Sequence, residues 1–216
     1  MKTYAALWPN NGSIPIKGEE LVVQSPDQLD DPNGILILWG GEDISPSLYN
    51  ETPGTRTGAS ERLSYRDRRE SALAQRAIEI GLPILGICRG AQLMCALSGG
   101  KLVQHVSDHA SFDGHDIMVD DGRIIRTNSL HHQMMFPWAI EHRLIAWSAP
   151  SQSEVYLGEN DRPLIEAAQH PEPEVVYFPK TRALAIQGHP EFIHNPDNPF
   201  VKFSMELING YLNSSR

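Results

Sequence analysis

The stretch Pro83-Ile84-Leu85-Gly86-Ile87-Cys88-Arg89-Gly90-Ala91-Gln92 decides the fold. Its apolar first half predicts a strand buried on both faces, as strands of parallel sheets are. The run Ala91–Leu97 then predicts a short helix that stops at Ser98-Gly99-Gly100. A cysteine between small residues, at a turn from strand to helix, is typical of a nucleophile elbow.

The elements around this stretch continue the alternation of strand and helix. Ile35–Leu38 predicts another buried strand, and Arg66–Ile80 predicts an amphipathic helix capped by Gly81. Met1–Pro9 predicts a first strand. This alternation indicates an α/β fold with a parallel sheet. We expect residues 1–216 to form one domain, because the chain is long enough for one core and short for two.

The second half of the chain predicts mainly antiparallel strands. Asp116–Arg126 has the pattern of a β-hairpin with a glycine turn, and Phe200–Leu212 predicts a closing helix. Further short strands are predicted at Leu144–Trp147, Glu154–Leu157, Leu164–Ala168, Val175–Phe178 and Ala183–Gln187. The predicted fold is therefore α/β, with a mainly parallel central sheet and appended antiparallel strands.

Charge and composition exclude several classes of function. The 216 residues include 18 Lys+Arg and 27 Asp+Glu, which gives a net charge of −9. Such a charge disfavours binding to nucleic acid or to an anionic membrane surface. No apolar run approaches the ~20 residues that cross a bilayer. We find no signal-peptide pattern and no disulfide framework, so we expect a cytoplasmic protein with two reduced cysteines.

The elbow pattern makes Cys88 a candidate nucleophile. Its side chain would project into the cleft at the carboxyl ends of the strands, where open α/β sheets bind ligands. The N-terminus of the next helix favours a thiolate, and the backbone N–H of Arg89 would face a developing oxyanion. A buried, inert cysteine is the alternative interpretation, but the flanking Gly86 and Gly90 favour the nucleophile.

A cysteine nucleophile requires a base, and His189 is the best placed of the nine histidines. Pro190 disfavours helical geometry at the residue before it, so we expect an extended chain there. In an extended chain the side chains at positions 189 and 191 point the same way. Cys88, His189 and Glu191 therefore form a predicted catalytic triad, in which the carboxylate orients the imidazole.

The two motifs, Gly-x-Cys-x-Gly-x-Gln and Gln-Gly-His-Pro-Glu, closely resemble those of the class I glutamine amidotransferase superfamily. The blocks at Gly40–Pro46, Arg66-Asp67 and Asn128–Gln133 resemble its γ-glutamyl-γ-aminobutyrate hydrolase branch. The resemblance implies a flavodoxin-like three-layer fold with helices on both faces of the sheet. It also implies hydrolysis of a γ-glutamyl amide through a γ-glutamyl thioester on Cys88, without a cofactor.

The resemblance also implies roles for further residues. The backbone N–H of Gly41 would join that of Arg89 in an oxyanion hole. Two segments would hold the α-amino and α-carboxylate groups of the glutamyl moiety, through Gln92, Ser129, Leu130 and His131. The expected partner is thus a small γ-glutamyl substrate, and a homodimer stays open. Trp39 departs from the family, because many relatives have a smaller residue there.

Three functions remain open at this stage. The chain is a hydrolase of γ-glutamyl amines or glutamine, a glutaminase subunit that supplies ammonia to a separate synthetase, or a non-catalytic binding member of the fold. The presence of all three triad residues disfavours the last. The long loop Asp43–Tyr65 favours the hydrolase, because we expect it to close over the substrate and select the amine.

Other patterns are given structural roles. His105, His109 and His115 lack the compact spacing of a zinc motif, so no metal site is predicted. His131 and His132 are adjacent, so in an extended chain only one would face the cleft. The arginines near the first long helix are expected to form mainly a solvated face, at Arg62, Arg66, Arg68 and Arg69.

Overall fold

A nine-stranded sheet dominates the computed structural model, which describes residues 2–7, 14, 16 and 18–212. In chain order the described strands are β1 (Lys2–Ala6), β2 (Glu19–Val23), β3 (Ile35–Leu38), β4 (Ile84–Ile87), β5 (Lys101–Val103), β6 (His105–Val106), β7 (Ala110–Val119), β8 (Ile124–Leu130), β9 (Met134–Phe136), β10 (Arg143–Ser148), β11 (Tyr156–Leu157), β12 (Pro173–Phe178) and β13 (Ala183–Ile186). The α-helices are α1 (Tyr65–Ile80), α2 (Arg89–Leu97) and α3 (Pro199–Leu207).

The large sheet has a parallel half and an antiparallel half. Its strand order is β2-β1-β3-β4-β13-β12-β10-β7-β8, with parallel pairing from β2 to β13 and antiparallel pairing beyond. Every residue of β3, β4 and β13 is buried, which explains why these strands are continuous apolar runs in the sequence. The predicted α/β fold, with a parallel core and appended antiparallel strands, is confirmed.

Helices cover both faces of this sheet. Leu36 belongs to the same apolar cluster as Leu73 of α1 and Leu93 of α2. Its neighbour Ile37 belongs to a second cluster, which contains Phe200 of α3. Successive residues of a strand point to opposite faces, so the two clusters are the cores on the two sides of the sheet. The expected three-layer arrangement is therefore present.

Several predicted elements differ in extent. Helix α2 begins at Arg89 rather than Ala91, because Cys88 itself is the residue before the first helical turn. The closing helix is an α-helix only to Leu207 and continues as a π-helical turn over Ile208–Leu212. The predicted hairpin is longer than its turn suggested, since it consists of the whole of β7 and β8.

One predicted strand is wrong, and two others are shorter than predicted. Leu164–Ala168 does not form a strand, because residues Ile165–Gln169 form a 3₁₀ helix. Leu164 and Ala167 pack on the same small apolar cluster, and their spacing of three residues is one 3₁₀ turn. The predicted strand Glu154–Leu157 is reduced to β11. The predicted strand Met1–Pro9 is reduced to β1, and its positions 1, 8 and 9 lie outside the described residues.

The long loop that begins at Asp43 is held against the residues around position 160. Thr52 Oγ1 donates to Glu159 Oε1 over 2.6 Å, and the backbone N–H of Thr55 donates to Asp161 Oδ2 over 2.8 Å. The loop includes a 3₁₀ turn at Pro46–Tyr49 and ends where α1 begins. Among the described residues, no helix combines the length and apolarity required to cross a membrane.

Candidate active site

The elbow holds Cys88 between β4 and α2 in a strained backbone conformation, with φ of 49° and ψ of −106°. Glycines make this turn possible. A Cβ atom on Gly86 would lie 2.5 Å from the carbonyl oxygen of Gly90, and one on Gly90 would lie 2.1 Å from that of Leu38. Both distances are shorter than any real contact of this type. The close approach of the two backbones therefore requires glycine at both positions.

The structure brings the three predicted triad residues together. His189 Nδ1–H donates to Glu191 Oε1 over 2.7 Å, and both side chains are largely buried. The imidazole also forms a hydrogen bond with Cys88. Burial alone would lower the pKa of His189, but the hydrogen bonds with Cys88 and Glu191 outweigh it and raise this pKa to about 10. The imidazole is thus held as a proton donor next to the sulfur.

The local geometry of this pair differs from the prediction. His189 has φ of −115° and ψ of 77°, and a 3₁₀ turn over Pro190–Phe192 follows it. The turn, not an extended chain, brings the carboxylate of Glu191 back to the ring. Asn128 fixes the backbone there: its Nδ2 donates to the carbonyl of His189 over 2.8 Å, and its Oδ1 accepts from the N–H of the same residue over 2.8 Å.

Asn128 is expected to act as a positioning residue for the imidazole. We expect Asn128→Ala to lower kcat about 10-fold with little change in KM, because a displaced base loses part of its ~10²–10⁴-fold contribution. Asn128→Asp keeps the acceptor for the N–H of His189 and should recover part of kcat. Steady-state kinetics on one γ-glutamyl amide measure both effects. An equal rise in KM in both variants would instead indicate a general disturbance of strand β8.

A buried arginine orients the peptide that carries Gly41. Arg66 Nη2 donates to the carbonyl oxygens of Trp39 and Gly40, each over 2.9 Å. In a trans peptide the C=O and the next N–H point in opposite directions, so this contact directs the N–H of Gly41 away from the guanidinium. The N–H of Arg89 lies in the first turn of α2, directly after Cys88. These are the two predicted oxyanion-hole donors.

The expectation of a solvated arginine face is wrong for Arg66. Its side chain is buried and pairs with Glu70 over 2.8 Å. The guanidinium of Arg89 is fully buried as well, and pairs with Asp67 over 2.6 Å and with Glu70. Helix α1 is thereby tied to the loop at Gly41 and to the elbow. Of the other three arginines near this helix, two are exposed and one is half-buried: Arg62, Arg68 and Arg69.

Two cavities meet at Cys88. One, of about 420 Å³, has Trp39, Leu130 and Phe192 as apolar walls beside the charged Arg66 and Glu191, and we call it the apolar cavity. The other, of about 440 Å³, is lined mainly by polar and charged groups, and we call it the polar cavity. Four residues line both of them: Gly41, Glu42, Cys88 and Leu130.

The predicted substrate-binding residues do not all face these cavities. Gln92 and His131 line the polar cavity, and Leu130 lines both cavities. The side chain of Ser129 lines neither, because its hydroxyl donates to the carbonyl oxygen of His109. The expectation that only one of His131 and His132 faces the cleft is wrong, since both line the polar cavity just beyond the end of β8.

The long loop contributes to the polar cavity. Arg56 and Gly58 line it together with Gln92. Asp43 accepts from the N–H of Gly58 over 2.7 Å and pairs with His132 over 3.1 Å. Burial alone would raise the pKa of Asp43, but these hydrogen bonds lower it below its usual range. The loop therefore lies beside Gln92, one of the predicted glutamyl-binding residues.

Two of the histidines for which no metal site was predicted, His109 and His115, are buried with two glutamates. His109 Nε2 lies 3.1 Å from Glu172 Oε2, and His115 Nε2 lies 2.9 Å from Glu174 Oε1. Burial alone would lower the pKa of His109, but the two carboxylates raise it to about 9. Sequence spacing could not reveal this cluster, because its members come from separate strands and segments.

Comparisons with known proteins find a family and a fold that this chain shares. The profile of the Peptidase C26 family matches residues 13–191. The chain is 30% identical to the glutamine amidotransferase-like protein YvdE of Lactococcus lactis, over 72% of this chain and 65% of that protein's length. It is 30% identical to the glutamine-hydrolysing GMP synthase of Prochlorococcus marinus, over 62% of this chain and 22% of that one. The PurLQS structure from Thermotoga maritima has the same fold, with a TM-score of 0.61 and 18% identity over 95% of this chain and 97% of that chain.

Proposed function

This chain belongs to the Peptidase C26 family of the class I glutamine amidotransferase-like superfamily, and on that premise we propose that it is a cysteine-dependent hydrolase of γ-glutamyl amides. One observation carries the proposal. Cys88 lies at the junction of a polar and an apolar cavity, within hydrogen-bonding reach of His189, which Glu191 holds in place. The arrangement suits a substrate with a polar acyl part and an apolar amine part.

In the first half of the proposed reaction, the sulfur of Cys88 attacks the γ-carbonyl carbon and a C–S bond forms. The carbonyl oxygen becomes an oxyanion, which accepts from the backbone N–H groups of Gly41 and Arg89. The C–N bond then breaks, and the proton on His189 passes to the leaving nitrogen. The products of this half are a free amine and a γ-glutamyl thioester.

In the second half, water cleaves the thioester. His189, now neutral, takes a proton from the water as the oxygen attacks the thioester carbon. The C–S bond breaks, glutamate leaves, and the proton restores the pairing of the imidazole with Cys88. Formation of the thioester removes the sulfur as a hydrogen-bond partner, and this lowers the pKa of His189 at the stage when it acts as a base.

The polar cavity supplies the groups that a glutamyl moiety requires. Its α-carboxylate would pair with the guanidinium of Arg56 and accept a hydrogen bond from the side-chain amide of Gln92. Its α-ammonium would face the carboxylates of Glu42 and Asp43. A zwitterion needs charges of both signs at fixed places, and this cavity has both. The proposed acyl specificity for a γ-glutamyl group rests on that match.

The apolar cavity supports an amine with an apolar body. Phe192 is half-exposed and stacks on the ring of His189, with centroids 4.6 Å apart and planes 2° from parallel. Trp39 and Leu130 form further apolar walls. An alkyl or aryl amine would bury its carbon atoms there, whereas the ammonia released from glutamine would leave the cavity unfilled.

We expect Phe192→Ala to lower kcat/KM about 10-fold for a γ-glutamyl benzylamide and much less for glutamine. Loss of part of an aromatic wall costs about 1.5 kcal/mol of binding, which corresponds to roughly 10-fold. The ratio of the two specificity constants separates this effect from any change at His189, which would affect both substrates. Tyr65→Ala is the matched control, because Tyr65 is an exposed ring that lines neither cavity.

A panel of γ-glutamyl amides against free glutamine tests the function itself, with glutamate, amine and ammonia measured separately. We expect hydrolysis by the isolated protein, fastest for amides of apolar amines. The second candidate is a glutaminase subunit, which the similarity to a glutamine-hydrolysing GMP synthase supports. Turnover of glutamine alone, and only with a partner synthetase present, would favour that candidate and contradict the hydrolase.

A further inference from the structure

A buried cluster behind the polar cavity takes no part in the proposed reaction. It contains His109, His115, Glu172 and Glu174, and is joined by His131, which also lines the polar cavity. All these side chains are at most 4% exposed. Buried charges of this kind require partners, and the positions of their polar atoms show which partners are missing.

The outer nitrogen of each of two imidazoles lies close to an oxygen atom. His131 Nδ1 lies 2.8 Å from the carbonyl oxygen of Gln133, which can only accept, so Nδ1 carries the hydrogen. His109 Nε2 lies 3.1 Å from the carboxylate of Glu172, although this contact lacks the geometry of a hydrogen bond. With its hydrogen on Nδ1, the ring of His131 presents a lone pair inward at Nε2, and the inward atom of His109 is Nδ1.

The inward atoms converge on one carboxylate. His109 Nδ1 lies 3.3 Å and His131 Nε2 lies 3.5 Å from Glu174 Oε1. Neither nitrogen forms a hydrogen bond, and nor does the buried Glu174 Oε2. The lone pair of His131 Nε2 therefore faces the carboxylate of Glu174 with no hydrogen between them, and His109 Nδ1 approaches the same oxygen without forming a hydrogen bond. One proton on His109 would relieve only one of these contacts, and an N⁺–H···O⁻ hydrogen bond would shorten to about 2.7–2.9 Å.

We propose that His109 Nδ1, His131 Nε2 and Glu174 form a binding site for a divalent transition-metal ion of the zinc type. Ligand atoms bonded to a tetrahedral ion at about 2.0–2.2 Å lie about 3.3–3.6 Å from each other. The distances of 3.3 and 3.5 Å match that separation, and the ligand atoms of the three residues lie within 4.8 Å of one another. Glu174 Oε2 or a water completes the coordination.

The surroundings of the site are those that hold a metal's ligands in place. Glu172 lies beside His109 Nε2, in the place of the carboxylate of a carboxylate–histidine–metal arrangement, where it would orient the ring. Glu172 is itself held by the backbone N–H of Gln152 over 2.7 Å and that of Ser153 over 2.9 Å. His115 donates to the carboxylate of Glu174. Two imidazoles and one carboxylate suit zinc better than calcium or magnesium.

The ion would have a structural role, because two of its three ligands, His109 and Glu174, line neither of the cavities that meet at Cys88. Binding would fix His131, and through it one wall of the proposed glutamyl site. The ligands are buried, so the ion would enter during folding and resist removal afterwards. This inference does not depend on the proposed hydrolase activity, and its test does not use that activity.

Metal content of the full-length protein, purified without chelator, provides the first test. We expect about one zinc ion per chain after dialysis against EDTA, measured by plasma mass spectrometry. Refolding with Co²⁺ should give the visible absorption bands of a tetrahedral ion. Refolding with excess Zn²⁺ should raise Tm by about 5 °C or more over metal-free refolding, because an ion that binds only the native state stabilises it.

Variants identify the ligands. Glu174→Gln, which preserves the volume of the side chain, should lose the zinc and the Co²⁺ bands. His142→Ala is the matched control: His142 donates to the carbonyl of Ile140 and lies outside the cluster, so its loss should leave the metal content unchanged. If Glu174→Gln does not fold, the Co²⁺ spectrum and the Tm of the wild-type chain still test whether a metal ion binds. Wild-type protein without zinc, without Co²⁺ bands and with an unchanged Tm would overturn the proposal in favour of a proton-bridged ion-pair network.

Discussion

Cys88→Ala is expected to reduce hydrolysis of γ-glutamyl amides to the background rate and to leave the fold intact. Without the sulfur no thioester forms, and no other thiol, hydroxyl or amine side chain among the described residues lines both cavities. Alanine fits the position, because the elbow strain at φ of 49° exists for any residue with a Cβ atom. The side chain lines both cavities and contributes only its small thiol to the apolar cluster on the α3 side, so the alanine variant loses little packing.

The experiment for Cys88 uses the chain's other cysteine as its control. Cys95 is fully buried, and burial raises the pKa of its thiol to about 12. Cys95→Ala should cost about 1 kcal/mol of stability and keep the activity of the folded protein. This is the reverse of the result expected for Cys88→Ala, which keeps the fold and loses the activity. Mass spectrometry after mixing with substrate should find a γ-glutamyl adduct on wild-type Cys88 and none on the alanine variant. Full activity in Cys88→Ala would refute the mechanism.

The parts of the site that short sequence patterns specify could be predicted. The strand, the elbow and the start of α2 follow from one stretch, because the glycines needed for close backbone contact are adjacent in sequence to Cys88. His189 and Glu191 are two residues apart, so a local turn is enough to pair them. We predicted this pairing from an extended chain, whereas in the structure a 3₁₀ turn forms the same contact.

The parts that depend on distant pairing could not be predicted. Arg66 looked like part of a solvated helix face, because its carbonyl partners at Trp39 and Gly40 lie far away in sequence. The burial of His109 with Glu172 depends on which strands become neighbours in the antiparallel half. Hydrophobic patterns fix which face of an element is buried. They do not reveal which charged groups the packing brings together.

These long-range contacts share one consequence for the candidate site. Arg66 fixes the peptide at Gly41, Asn128 fixes the backbone of His189, and Arg89 is locked by its ion pairs with α1. The groups proposed to act on substrate are thus held by buried side chains that do not touch it. Such support is what keeps donors and bases within the small tolerances that catalysis requires.

His189→Asn is expected to lower kcat at least about 10²-fold, the lower end of a general acid–base contribution. Asparagine retains a polar group of similar size but cannot carry the proton to the leaving amine. Glu191→Gln should cost less, because it removes the partner of the imidazole and not the imidazole itself. Both are measured as kcat on one γ-glutamyl amide at neutral pH. Equal losses in the two variants over the whole pH range would contradict this division of roles.

The pH dependence of kcat/KM tests how Glu191 changes the pKa of His189. The pKa of His189 is raised to about 10, so its protonated form is present at neutral pH and is lost as the pH rises through about 10. Acylation needs that proton for the leaving amine, so kcat/KM should be constant around neutral pH and fall on the alkaline side. Glu191 is one of the two partners that raise this pKa, so Glu191→Gln should move the alkaline fall to lower pH. A fall that stays at the same pH would mean that Cys88 alone sets the protonation of the imidazole.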